Sequence, residues 1–224
     1  SLLETITTSF VDTTTKSLTP TTAINFSSVL ILGFTVSFVA AAEGSRGAEL
    51  FEAQCISCHG NAAVNLKTPV LHGQEPAYIA RSLEAFQLGG RIDQIMSSMN
   101  EIAAGLSSED ISALAQYLAS RDPCAIDLKI DYGRDGFQEE FAAGREKYAQ
   151  SNCGHCHDSF HHYAPRIVGQ KAAYLELALS QFKSGVRVAP MMPQLLASWT
   201  EQDFKNVVTY LSGMRLMRAC GDHY

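Results

Sequence analysis

The chain has 224 residues, 46% hydrophobic and 18% charged, the proportions of an ordinary globular protein of one or two domains. Its formal net charge of −6 argues against nucleic-acid binding, which wants a basic face. That charge is compatible with docking onto a basic patch of another protein.

Residues 1–22 are a polar, threonine-rich tail in which no packed element is readable. From Ala23 to Ala42 the chain carries no charge. As a helix at about 1.5 Å per residue this stretch is about 30 Å long, one bilayer core. Ala40-Ala41-Ala42 before Glu43 resembles a signal-peptidase site, so a removed signal competes with a retained transmembrane anchor. The anchor is the reading adopted.

The stretch Gly47–Gln54 reads as a helix that leads into Cys55-Ile56-Ser57-Cys58-His59. In the second half Gly144-Arg145-Glu146-Lys147-Tyr148 precedes Cys153-Gly154-His155-Cys156-His157. C-x-x-C-H is the attachment signature of c-type haem. Two thiols three positions apart each form a thioether to one vinyl group of the same porphyrin, and the adjacent histidine lies under the iron. A zinc site or a redox dithiol would also use a C-x-x-C pair. Two copies, each followed by His, favour two covalently bound haems c, held by Cys55, Cys58 and His59 and by Cys153, Cys156 and His157. Haem attachment is periplasmic, which puts the long C-terminal part on that side of an inner membrane.

An internal repeat organises the rest. Pro69-Val70-Leu71-His72-Gly73-Gln74 matches Pro165-Arg166-Ile167-Val168-Gly169-Gln170. At the same offset Tyr78 falls on Tyr174, Phe86 on Phe182 and Arg91 on Arg187. Ser107 and Thr200 are N-caps, each with an acidic residue at the third helical position. Ile111, Leu114, Ala115 and Leu118, and Phe204, Val207, Val208 and Leu211, then recur at helical spacing. The expected class is all-α: a first domain over 43–124, an acidic, glycine-bearing linker over 125–136 and a second domain over 137–224. Each domain is small, so haem forms a large part of its core.

A haem iron with one histidine needs a sixth ligand or an open site. The repeat selects Met99, seven residues before Leu106, and Met192, seven before the equivalent Trp199. Met96 and Met191 lack a matched methionine in the other half. Methionine opposite histidine raises the potential, as electron-transfer sites require. His161 and His162, close behind His157, are the rivals of Met192. His155, inside the C-x-x-C loop, is expected to be exposed. A carbonyl near Pro69 and another near Pro165 are expected to accept the ring N–H of the proximal histidines. Tyr78, Tyr174, Arg91 and Arg187 either touch haem edges and propionates or are ordinary packing. Cys124 and Cys220 remain as an even pair in an oxidising compartment, so a disulfide is expected.

Residues 44–224 resemble a tandem diheme class I cytochrome c of the c-four type. The two C-x-x-C-H sites, the two P-x-[LI]-x-G-Q segments, the matched methionines and the last helices ISALAQYLA and FKNVVTYLS carry the resemblance. It implies two all-α domains related by a pseudo-twofold axis, with haem edges facing across the interface and two His/Met irons. It also implies electron shuttling to a terminal oxidase rather than catalysis. Members commonly carry a glycine-rich tract after the haem histidine. Here Gly60-Asn61-Ala62-Ala63 and Asp158-Ser159-Phe160-His161-His162 stand instead. The expected donor is a quinol-oxidising cytochrome bc-type complex or a dehydrogenase, and the acceptor a haem–copper oxidase. No nucleic acid or small-molecule substrate is expected. The alternatives are a cytochrome subunit of a periplasmic sulfur-compound dehydrogenase or respiratory supercomplex and, through His161 or His162, a diheme peroxidase.

Overall fold

The computed structural model describes residues 46–63, 67–95, 97–158 and 164–214. The apolar stretch Ala23–Ala42, His161, His162 and Cys220 lie outside the described residues. Among the described residues no helix is long and apolar enough to cross a membrane.

Each half is built from the same elements in the same order. In the first, residues 46–50 are helical. They continue through a π turn, Phe51–Cys55, into α1 (Ile56–His59). Then come α2 (Pro76–Gln87), α3 (Ser98–Ala104) and α4 (Ser108–Ser120). The second half has α5 (Phe137–Gln150), α6 (Gly154–His157), α7 (Ala172–Lys183), α8 (Met192–Leu196) and α9 (Glu201–Gly213). The described residues form no strands. Both halves belong to one compact unit, Phe38–Tyr224.

The start signals act as their chemistry requires. Ser107 Oγ accepts the Asp110 N–H while the Asp110 carboxylate accepts the Ser107 N–H, and Thr200 and Asp203 do the same. The caps satisfy amide groups that the first turn would otherwise leave unpaired. Each capped helix then buries one apolar stripe. Ile111, Leu114, Ala115 and Leu118 pack with Leu50, Phe51, Ile79 and Leu106. Val207, Val208 and Leu211 pack with Tyr148, Leu175, Leu179, Leu196 and Trp199.

The entry helix crosses the last helix at a glycine in both halves. A Cβ on Gly47 would lie 2.3 Å from the Ala113 carbonyl oxygen, and one on Gly144 2.0 Å from that of Asn206. Only glycine lets the backbones approach so closely. Between this crossing and the first haem cysteine the halves differ. Phe51 stands four residues before Cys55, but Tyr148 stands five before Cys153. The extra residue is absorbed by Asn152 in the left-handed region, φ 53°, from which the Cys153 N–H reaches back to the Tyr148 carbonyl.

The linker is fastened at both ends. Asn61 donates to the Ala125 carbonyl at 2.8 Å and accepts from the Asp127 N–H at 3.0 Å. Tyr132 donates to the Gly213 carbonyl, and Arg134 pairs with the buried Glu140 and donates to Thr209. Asn61, which stands where the family commonly has a glycine-rich tract, is therefore the anchor of the linker. Cys124 is disulfide-bonded; its expected partner Cys220 is not among the described residues.

Two candidate haem sites and the seam between them

The cysteines of each motif sit on one helical turn, so both thiols and the following imidazole belong to one rigid element. His59 is buried, and its Nδ1–H donates to the Pro69 carbonyl at 2.9 Å. His157 Nδ1–H donates to the Pro165 carbonyl at 2.7 Å. The carbonyl expected near each proline is thus that of the proline itself. With Nδ1 committed as donor, each ring keeps its Nε2 lone pair for a metal. Burial lowers both imidazoles, that of His59 to about 4, so the rings are neutral and ready to ligate.

The partly buried first cysteine of each motif argues against a redox dithiol. Burial pushes the Cys55 and Cys153 thiols up to about 11, the opposite of the low pKa a redox dithiol needs. Four thiols unpaired with one another, two oriented imidazoles and partly buried methionines fit two covalently attached haems.

Of the methionines, Met192 opens α8 and packs against the second core, whereas Met191 is 62% exposed. Met99 is half-buried in α3. Its segment is braced by Asp93, which accepts from Ser98 Oγ and the Met99 N–H. Asn100 donates to the carbonyls of Phe86 and Arg91. The second half is three residues shorter; there the Gln194 side-chain amide donates to the carbonyls of Pro190 and Met191, and Pro193 stands in the first turn of α8. His155 is exposed, as expected.

The two P-x-[LI]-x-G-Q segments meet each other. Gln170 accepts the Val70 N–H at 2.7 Å and donates to the Val70 carbonyl at 3.1 Å. Gln74 accepts the Arg166 N–H at 2.7 Å and donates to the Arg166 carbonyl at 3.0 Å. Val70 and Arg166 occupy matching positions, so the four bonds obey a local two-fold relation. Gly73 and Gly169, at φ 66° and 69°, turn each segment, and each donates to the last helix of its own half. The repeat shows that these segments are alike; that they touch is visible only in the fold.

Residues 42–118 and 139–211 both match the family described as cytochrome c oxidase, cbb3-type, subunit III. The chain belongs to this family, as a diheme c-type cytochrome of the c4 kind. It is 28% identical to cytochrome c-552 of Acidithiobacillus ferridurans over 201 residues, covering 86% of this chain and 87% of that protein. It is 30% identical to the thiosulfate dehydrogenase electron acceptor of Thiomonas intermedia over 60% of this chain and 65% of that one. The solved structure of Acidithiobacillus ferrooxidans cytochrome c4 superimposes with a TM-score of 0.61 at 29% identity, over 72% of this chain and 99% of that one. Two covalently bound haems c follow for this diheme cytochrome.

Proposed function

We propose that this diheme electron carrier is tethered to the inner membrane by Ala23–Ala42 and works on the periplasmic side. It takes electrons from a quinol-oxidising cytochrome bc-type complex or a dehydrogenase and delivers them to a terminal haem–copper oxidase. The observation that carries the reading is the pair of Nδ1-anchored histidines on either side of a seam closed by reciprocal glutamine bonds. When bound, each haem supplies one-electron chemistry through its iron.

The chain's part is to bind, orient and exclude. The four motif cysteines would attach the haems and His59 and His157 would ligate through Nε2, while their Nδ1 protons stay on the proline carbonyls. Met99 and Met192 would be the methionines that complete the hold on each iron, with thioethers that favour its reduced state. Gln74 and Gln170 hold the halves at one separation, so internal transfer runs over a constant distance. Tethering raises the effective concentration at a membrane partner.

A second reading, favoured by the relative named as a thiosulfate dehydrogenase electron acceptor, is a permanent subunit of a sulfur-compound dehydrogenase. Purification from native membranes in mild detergent separates the two. A carrier emerges alone after a salt wash and is reduced by a quinol-oxidising fraction. A dehydrogenase present in equal amount after the wash overturns the free-carrier reading. An intact mass beginning at Glu43 would overturn the anchor.

A further inference from the structure

One residue past the paired glutamines the two halves carry opposite charges. Glu75 is the N-cap of α2 and Lys171, at the matching position, is the N-cap of α7. Lys171 is buried, which an ammonium tolerates only when it is well bonded. Its N–H donates to Gln170, and its Nζ crosses to the first half and donates to Thr68 Oγ1 at 3.2 Å. Thr68 Oγ1 in turn donates to the Cys58 carbonyl. Cys58 is the second cysteine of the first motif and directly precedes His59. A cation of the second half thus stands, through one hydroxyl, on the attachment turn of the first.

The sequence does not repeat this relay. The positions that match Lys171 and Thr68 hold Glu75 and Ala164, an acid for the cation and a methyl for the hydroxyl. Other cations at the seam are engaged elsewhere. Arg166 donates to the carbonyls of His72, Gly73 and Val168, and Arg91 and Arg187 meet on the Tyr174 hydroxyl. Two like attachment turns therefore lie in unlike fields. A buried charge acts at a low effective dielectric and is screened little by salt. Reduction adds one electron and lowers the charge of an iron centre by one, so a fixed cation nearby favours the reduced state.

We propose that Lys171 sets a potential across the seam: its ammonium, held by Thr68, raises the reduction potential of the haem carried by Cys55, Cys58 and His59 in the other half. The inference rests on the diheme reading above.

The test uses the full diheme protein. Both potentials are followed by spectroelectrochemical titration, and each haem is assigned by NMR contacts to residues of its own attachment turn. Lys171→Gln is expected to lower the potential of the first haem more than that of the second. Lys171→Glu should move it about twice as far, because the Coulomb energy is linear in charge, and Lys171→Arg should leave it near the wild-type value. The shift should persist when ionic strength is raised. Equal shifts at both haems, a larger shift at the second, or no shift overturns the proposal. So does a shift in Lys171→Arg as large as in Lys171→Gln, which would make the role one of packing. If Lys171→Gln does not load both haems, Lys171→Met is read by the same criteria. Fewer than two haems per wild-type chain, by pyridine haemochrome, would instead overturn the diheme reading itself.

Discussion

The two halves use the same proximal chemistry and different distal supports. Both proximal histidines donate to a proline carbonyl, both entry helices cross the last helix at a glycine, and both final helices open with a capping box. On the methionine side they part. Asp93 and Asn100 brace the first half, whereas Gln194, donating to the Pro190 and Met191 carbonyls, and Pro193 serve the shorter second. Behind the histidine, Tyr148 donates to Asp158 at 2.8 Å in the second half; the matching position in the first is Phe51, which packs against His72 and Tyr117. The comparison teaches which parts of the site tolerate no variation: the ligand and its carbonyl acceptor persist while the bracing is re-invented.

The methionines carry the largest effect. Met99→His and Met192→His should each lower the potential of their own haem by a sizeable share of the roughly 0.8 V that axial ligands span. Potentiometric titration with separate assignment of the haems checks this. An unchanged potential after Met192→His would give the sixth position to another group, His161 or His162 first.

Next come the helix crossings. Gly144→Ala and Gly47→Ala each force a Cβ onto a backbone carbonyl, and overpacking of this kind costs about 1–3 kcal/mol. Denaturant titration should show the larger loss at Gly144, where the approach is 2.0 Å against 2.3 Å.

At the seam, Gln74→Ala and Gln170→Ala each strand a backbone N–H and C=O, at about 1–3 kcal/mol. The two losses should be equal, because the bonds are reciprocal. Unequal losses in the same titration would mean that the two-fold relation does not extend to the energetics.

The smallest effect is electrostatic and confined to acid. The hydrogen bond from Arg134, helped by Lys205 and Thr209, holds Glu140 at about 2, below its ordinary 4.5. A carboxylate lowered in the folded state stabilises fully above the unfolded value and loses that contribution as pH falls towards the folded one. Acid denaturation between about pH 4.5 and about pH 2 should therefore be shallower in Glu140→Gln than in the wild type.

The helices were legible because their signals are local. Serine or threonine with an acid three residues on marks a cap, and apolar residues at three- and four-residue intervals mark a buried face. The motif cysteines and histidines were legible because haem attachment demands a fixed spacing. The π turn at Phe51–Cys55 and the left-handed Asn152 were not, since they follow from how far each entry helix must run past its glycine crossing before the first thiol. Asn61 read as a departure from a family tract, and only its two bonds to the linker give it a role.

By itself the sequence determined the all-α class, the two attachment sites, the proline carbonyls behind the histidines and the repeat that relates them. Each depends on residues close together in the chain, so spacing carries the information. The tertiary structure alone decided that Gln74 and Gln170 reach across to each other's half and that two arginines converge on one tyrosine. Gln74, Gln170 and Arg91 stand 83 to 100 residues from the partners they reach. No spacing rule links them; they meet because two like domains pack face to face and place matching residues on either side of one axis.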